Sequence, residues 1–169
     1  MRHRPLSRPV FRLLPALLIA SVAVLAGCIH HERVLDSAES STDNFQKAKA
    51  AGIRPVAVGD FTSDTLSDET QYLKDSLVVE LQGAGMLDPA SGSVIQGQVT
   101  DVQMGRTRAN ITARFTITQA GGRVVYDREL RASSTWPANA NVAKAQSAVY
   151  RKLIGVLFTD PGFKNAVPR

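Results

Sequence analysis

Cys28 is the only thiol in the chain, so no disulfide can close within one copy, and thiolate chemistry is confined to that one position. The three histidines, His3, His30 and His31, also fall in the N-terminal part. Everything after them lacks both His and Cys, so a Ser-His-Asp or Cys-His arrangement cannot be assembled there. An ordinary structural zinc site is excluded for the same reason. His30 and His31 with Glu32 would make a poor metal site, because adjacent residues on an extended strand face opposite ways. Asp60, Asp64, Asp68 and Glu69 form the one acidic cluster, but its spacing does not follow the EF-hand pattern. No phosphate-binding Walker loop, nucleophile elbow or dinucleotide fingerprint is present. We therefore expect a non-enzyme with no metal and no cofactor; an enzyme built on Asp60 or Asp64 is the least favoured class.

Arginine is the remaining side chain with binding chemistry. Arg106, Arg108 and Arg114 share the even-numbered parity of one strand region, and six Arg face only Asp101, Asp127 and Glu129 between residues 101 and 131. Forked guanidinium groups suit the phosphates of lipid head groups or anionic glycans. The competing reading is a solvated sheet face balanced by its own acids.

The formal charge of +5 belongs mostly to one segment. Arg2, Arg4, Arg8 and Arg12 lie in the first 27 residues, which carry no acid, leaving 16 basic residues against 15 acidic ones. The remainder is close to neutral, which argues against nucleic acid as a partner. Leu13 to Ala26 form an apolar run of 14 residues. A bilayer-spanning helix needs about 20, so the charged start and short apolar middle read as a secretory signal.

Leu25-Ala26-Gly27-Cys28 closes that run and resembles, at all four positions, the lipobox of bacterial lipoproteins. The resemblance implies cleavage before Cys28 and attachment of a diacylglycerol to its thiol. It also implies an envelope location, with Ile29 in place of an inner-membrane retention Asp pointing to the outer membrane. Two or more acyl chains give stable attachment where one is marginal. The expected organisation is a signal peptide at 1–27, a lipidated Cys and flexible tether at 28–52, and one domain at 53–169. Asn44 to Ala50 has the makings of a short helix docked by Phe45, which leaves the tether's end open.

The domain's pattern reads β-α-β-β-β-α. Pro55 to Phe61 is a strand, and Leu73, Leu77, Leu81 and Ala84 mark one stripe of a helix that opens at Ser67 or Asp68 and stops at Gly83 and Gly85. Ser93 to Met104 alternates imperfectly, which predicts a bulge. Ala109, Ile111, Ala113, Phe115 and Ile117 alternate with polar residues, and Gly121-Gly122 marks a hairpin. The returning strand sets Val124, Tyr126, Leu130, Ala132 and Trp136 on its apolar face, with Val125 opposite. Arg128 interrupts that face, so it belongs at an edge or beside an acid. A last helix follows Asn139 or Asn141 and ends at Asp160-Pro161-Gly162. The predicted fold class is α+β, a two-layer sandwich with two helices on one face of a mainly antiparallel four-stranded sheet. The other face, rich in Thr, Arg and acids, is left for solvent or a partner.

The order of elements over 54–160, with Val56-Ala57-Val58 before the first helix, is similar to several small envelope lipoproteins. These are the lipopolysaccharide-assembly lipoprotein, the activators of peptidoglycan synthases and the auxiliary lipoproteins of lipid-transport ABC systems. No diagnostic motif accompanies the likeness, so no functional residue is carried over. It implies a membrane-anchored accessory or assembly factor whose sheet face or edge strand meets an envelope protein partner. A carrier of anionic lipids or glycans, working through Arg106, Arg108 and Arg114, is the alternative.

Overall fold

Alternation along one strand organises the molecule. In the computed structural model, which describes residues 41–64 and 67–168, Ala109, Ile111, Ala113, Phe115 and Ile117 are all fully buried. They lie on β3 (Arg108–Gln119), paired antiparallel with β2 (Ser93–Met104) on one side and β4 (Arg123–Thr135) on the other. β1 (Ala57–Thr62) pairs parallel with β2, giving the order β1-β2-β3-β4. A parallel pair needs a crossover, supplied by α2 (Ser67–Gly83). Leu73, Leu77 and Leu81 of α2 are fully buried, as their spacing predicts. Past its end, Gly85 takes a positive φ of 69°, and the Met86 amide donates back to the Leu81 carbonyl at 2.8 Å.

α3 (Val142–Thr159) is the second helix on the sheet. Asn141 caps it, its side-chain oxygen accepting from the Lys144 amide at 3.0 Å. Its buried surface is broader than the Val142-to-Val156 stripe suggests, with Tyr150, Ile154, Leu157 and Phe158 also inside. Something must cover the extra width. That cover is α1 (Ser41–Ala51), which lies on α3 and α2 rather than on the sheet.

The tether boundary at residue 52 is corrected here, because the packed region already includes residues 41–51. Phe45 is only half-buried and sits beneath the Lys49 ammonium, 4.7 Å from its ring centre. Docking is done instead by Ala48, Ala51 and Asn44, all buried. The Asn44 amide donates to the Arg151 carbonyl at 2.9 Å and to the buried Glu80 carboxylate at 3.3 Å. Gly155 of α3 makes room, since a Cβ there would stand 2.7 Å from Asn44 Oδ1. Small and polar contact residues give α1 little hydropathy, which is why its sequence reads as a tether.

Two further details depart from the pattern. Asp160 ends α3 but also caps α4 (Pro161–Ala166), accepting from the Phe163 amide at 3.1 Å, and Phe163 is fully buried against Tyr126 and Phe158. In β4, the register slips by one residue between Tyr126, opposite Ile117, and Val124, opposite Thr118. That bulge turns Val124 out to 54% exposure and brings Val125 against the core, the reverse of their expected placement. The bulge predicted in β2 falls between Val99 and Asp101. Arg128 sits on edge strand β4 with its guanidinium 3.7 Å from Asp160. Both features expected for that interruption are present.

Candidate functional site: the open face of the sheet

The helices cover one face of the sheet, and alternation sends every second side chain of β2, β3 and β4 to the other. Gln96 and Gln98 of β2, Arg114 and Thr116 of β3, Asp127 of β4 and Thr62 of β1 surround a shallow depression of about 330 Å³ there. No aromatic ring lines it. Its floor lies at Gly97, whose missing Cβ is replaced on the buried side by the Phe61 ring; a Cβ would meet that ring at 2.4 Å. Phe61 thereby reaches Phe115 edge to face, with ring centres 6.2 Å apart.

One ion pair dominates the depression's chemistry. Arg114 donates through Nε and through a terminal nitrogen to the two oxygens of Asp127, both at 2.5 Å. β3 sets Arg114 directly opposite Glu129, and Asp127 is the diagonal neighbour. The paired guanidinium holds the Asp127 carboxyl below its ordinary range, chiefly through these hydrogen bonds. Arg114 is raised by the same bonds and by the charge of Asp127. Nearby, Arg131 Nε donates to the Thr112 hydroxyl at 3.2 Å, and the Thr100 hydroxyl donates to Glu129 at 3.3 Å. Thr112 is buried by these neighbours despite its outward parity.

The three arginines expected as an anionic-ligand patch are not brought to one point. Arg106 lies in the turn between β2 and β3, where its carbonyl accepts from the Trp136 indole at 2.6 Å. Arg108 begins β3, and Arg114 stands six residues along it, about 20 Å away at the rise of an extended strand. Arg114 is moreover engaged by Asp127. Asp127, counted in the sequence only among the acids that could balance the arginines, is Arg114's own partner. Carrying the register back from the Gly121-Gly122 turn without a bulge sets Asp127 opposite Phe115; the shift between Ile117 and Thr118 moves it opposite Thr116, diagonal to Arg114.

The acidic cluster does not converge either. Asp60 borders the open depression and lies 3.9 Å from Lys74, whereas Glu69 lines a different hollow of about 190 Å³ between α2 and α3, beside Tyr72, Met104 and Tyr150. Among the described residues no group of three His, Cys, Asp or Glu is disposed to hold a metal ion. Near the end of α3, burial pushes the Tyr126 phenol upward, and Asp160 pushes it the same way. Leu25, Ala26, Gly27 and Cys28, with Ile29, His30 and His31, lie outside the described residues.

Among the described residues the fold is an α+β sandwich, one face of a four-stranded mixed sheet covered by helices and the other left polar and open. No protein-family model matches the chain. No curated protein matches it either. Among solved structures it is similar to the hypothetical protein CT253 from Chlamydia trachomatis, at 11% identity over 60% of this chain and 91% of that one, with a TM-score of 0.44. It is also similar to lipoprotein GNA1162 from Neisseria meningitidis, at 13% identity over 59% and 96%, TM-score 0.41. A minor lipoprotein from Acinetobacter baumannii gives 16% identity over 69% and 97%, again with a TM-score of 0.41. Likenesses this distant carry no argument about function.

Proposed function

We propose that the chain is a lipid-anchored lipoprotein of the bacterial cell envelope that serves, without catalysis, as an accessory or assembly factor of an envelope complex. The observation that carries this reading is Leu25-Ala26-Gly27-Cys28 at the end of the apolar run. The Cys28 thiolate is the nucleophile that would take the diacylglycerol, and the small residues before it fit a narrow peptidase site. Ile29 in the following position favours the outer membrane, with the domain facing the periplasm. Among the described residues no helix is long and apolar enough to cross a membrane, so the lipid is the attachment on this reading. The open sheet face supplies the docking surface, its hydroxyls, amides and internally neutralised charges suiting a polar protein partner.

Mass spectrometry of the mature chain tests the anchor. The expected result is an N-terminal Cys28 bearing acyl chains, and Cys28→Ser should leave an uncleaved precursor. An unmodified thiol on Cys28 overturns the proposal. Mild crosslinking in membranes followed by purification should then recover a stoichiometric envelope protein; recovery of none removes the accessory role. The carrier reading rests on Arg106 and Arg108, both exposed near one end of the sheet. It requires that replacing Arg106, Arg108 and Arg114 with Ser abolishes binding to vesicles containing anionic lipid.

A further inference from the structure

β4 is thirteen residues long and, among the described residues, has one hydrogen-bonded neighbour, β3. Its outer side is therefore a row of backbone donors and acceptors, the feature that edge strands normally conceal. Which residues present that row follows from the ladder. The Trp136 amide, just past the strand, donates inward to the Thr107 carbonyl at 2.9 Å. Alternation then directs the even positions of the continuous stretch toward β3 and the odd ones, Asp127, Glu129, Arg131 and Ser133, outward. Lys152 reaches over from α3 and donates to the Ser133 carbonyl at 2.6 Å, covering one end of the row. The centre of the row, at Glu129 and Arg131, has no such cover from Lys152.

We propose that β4 pairs antiparallel with β4 of a second copy of this chain, joining two four-stranded sheets into one of eight. The choice of occupant comes from the strand's own charge order, Asp127, Glu129, Arg131, with both Glu129 and Arg131 exposed. Centre the two-fold axis on Leu130 and each Glu129 stands directly opposite the partner's Arg131, twice over. The same register places Leu130 against the partner's Leu130 on the helix-covered side, and Arg128 against the partner's small Ala132. Asp127 meets the partner's Ser133, whose carbonyl exchanges the Lys152 ammonium for the Asp127 amide. Sliding the pairing by two residues one way puts Arg131 against Arg131 with no opposite pair in return; sliding it the other way puts Glu129 against Glu129 and offers Arg131 only Asp127, which Arg114 already holds. Like charges directly opposite are destabilising, whereas opposite charges stabilise, so the sequence selects one register. An interface of this kind uses the same patch on both copies and closes on itself, consuming both β4 edges without propagating.

Charge reversal at the two exposed positions tests this; it also removes the Thr100–Glu129 and Arg131–Thr112 bonds within the chain, so the folding of each variant is checked alongside. The proposal is independent of the lipid anchor, so the mature chain can be studied in detergent by native mass spectrometry at roughly 0.1 mM, where a micromolar dimer is nearly fully populated. The unaltered chain is expected to be dimeric. Glu129→Arg sets Arg against Arg at both pairs, and Arg131→Glu sets Glu against Glu, so each variant alone should lose most of its dimer. Mixed together, the two restore opposite charges at both pairs and should form a heterodimer; the double reversal in one chain should dimerise with itself. Circular dichroism confirms that each variant is folded. A monomeric parent chain overturns the proposal, as do single variants that remain fully dimeric or a folded mixture that forms no heterodimer.

Discussion

The two faces of β3 are built by the same backbone ladder yet obey different rules. On one, Ala109, Ile111, Ala113, Phe115 and Ile117 have no contact with water, and each is judged by volume. On the other, Arg114 and Thr116 border an open depression, where charge order matters and small changes of volume do not. The contrast is sharpest at adjacent residues. Phe115→Ala removes a fully buried ring that packs on Phe61, and should cost about 3–5 kcal/mol by denaturant unfolding. Thr116→Ala, one residue on, should stay within about 0.5 kcal/mol. Comparable losses at the two positions would mean that the open face is covered, in solution, by something as tightly packed as the core.

Gly97 refines the comparison because it lies at the floor of the open depression while its Cα hydrogen faces the core. Gly97→Ala would set a methyl 2.4 Å from the Phe61 ring, and the overpacking should cost about 1–3 kcal/mol. Phe61 is only half-buried, so shortening it gives the methyl room. Phe61→Leu is therefore expected to recover part of the loss when combined with Gly97→Ala. A double variant whose losses simply add would show that the two groups do not compete for that space.

The same division explains what can be read from the sequence. A face buried from end to end leaves a period-two signature, and the Ala109-to-Ile117 run gives strand and orientation together. Helix stripes built on Leu73, Leu77 and Leu81 are equally plain. In α1 a helix is legible at Asn44 to Ala50 but its docking face is not, because Asn44, Ala48 and Ala51 make the contact through closeness rather than hydrophobic bulk. α4 is obscure because six residues with one buried aromatic, Phe163, are too few for a periodic signal. Val124 and Val125 exchange faces because a bulge adds a residue without altering composition, and an apolar pair reads the same in either order. The open face is harder still. Its residue types are visible, but whether Arg114 is available depends on which acid the register sets beside it, and pairing register is a property of two strands together.

That dependence makes Asp127 the finest probe of the open face. Arg114 holds its carboxyl below the ordinary range in the folded chain, whereas the unfolded chain has the ordinary value. The folded state consequently binds fewer protons than the unfolded state across that interval. The pair's stabilisation is complete above the unfolded pKa and is lost as pH falls through the depressed folded one. Both side chains are substantially exposed, so solvent screening keeps the contribution small, well below the losses expected at Phe115 and Gly97. Asp127→Asn should flatten the acid limb of the stability profile slightly while leaving neutral-pH folding nearly intact, and added salt should diminish the difference between variant and parent. Direct titration of Asp127 by carboxyl NMR provides the decisive reading: its midpoint should rise when Arg114 is replaced by Met. A midpoint unmoved by that substitution would show that the two side chains do not pair in solution, and would leave Arg114 available to an anion from outside the chain.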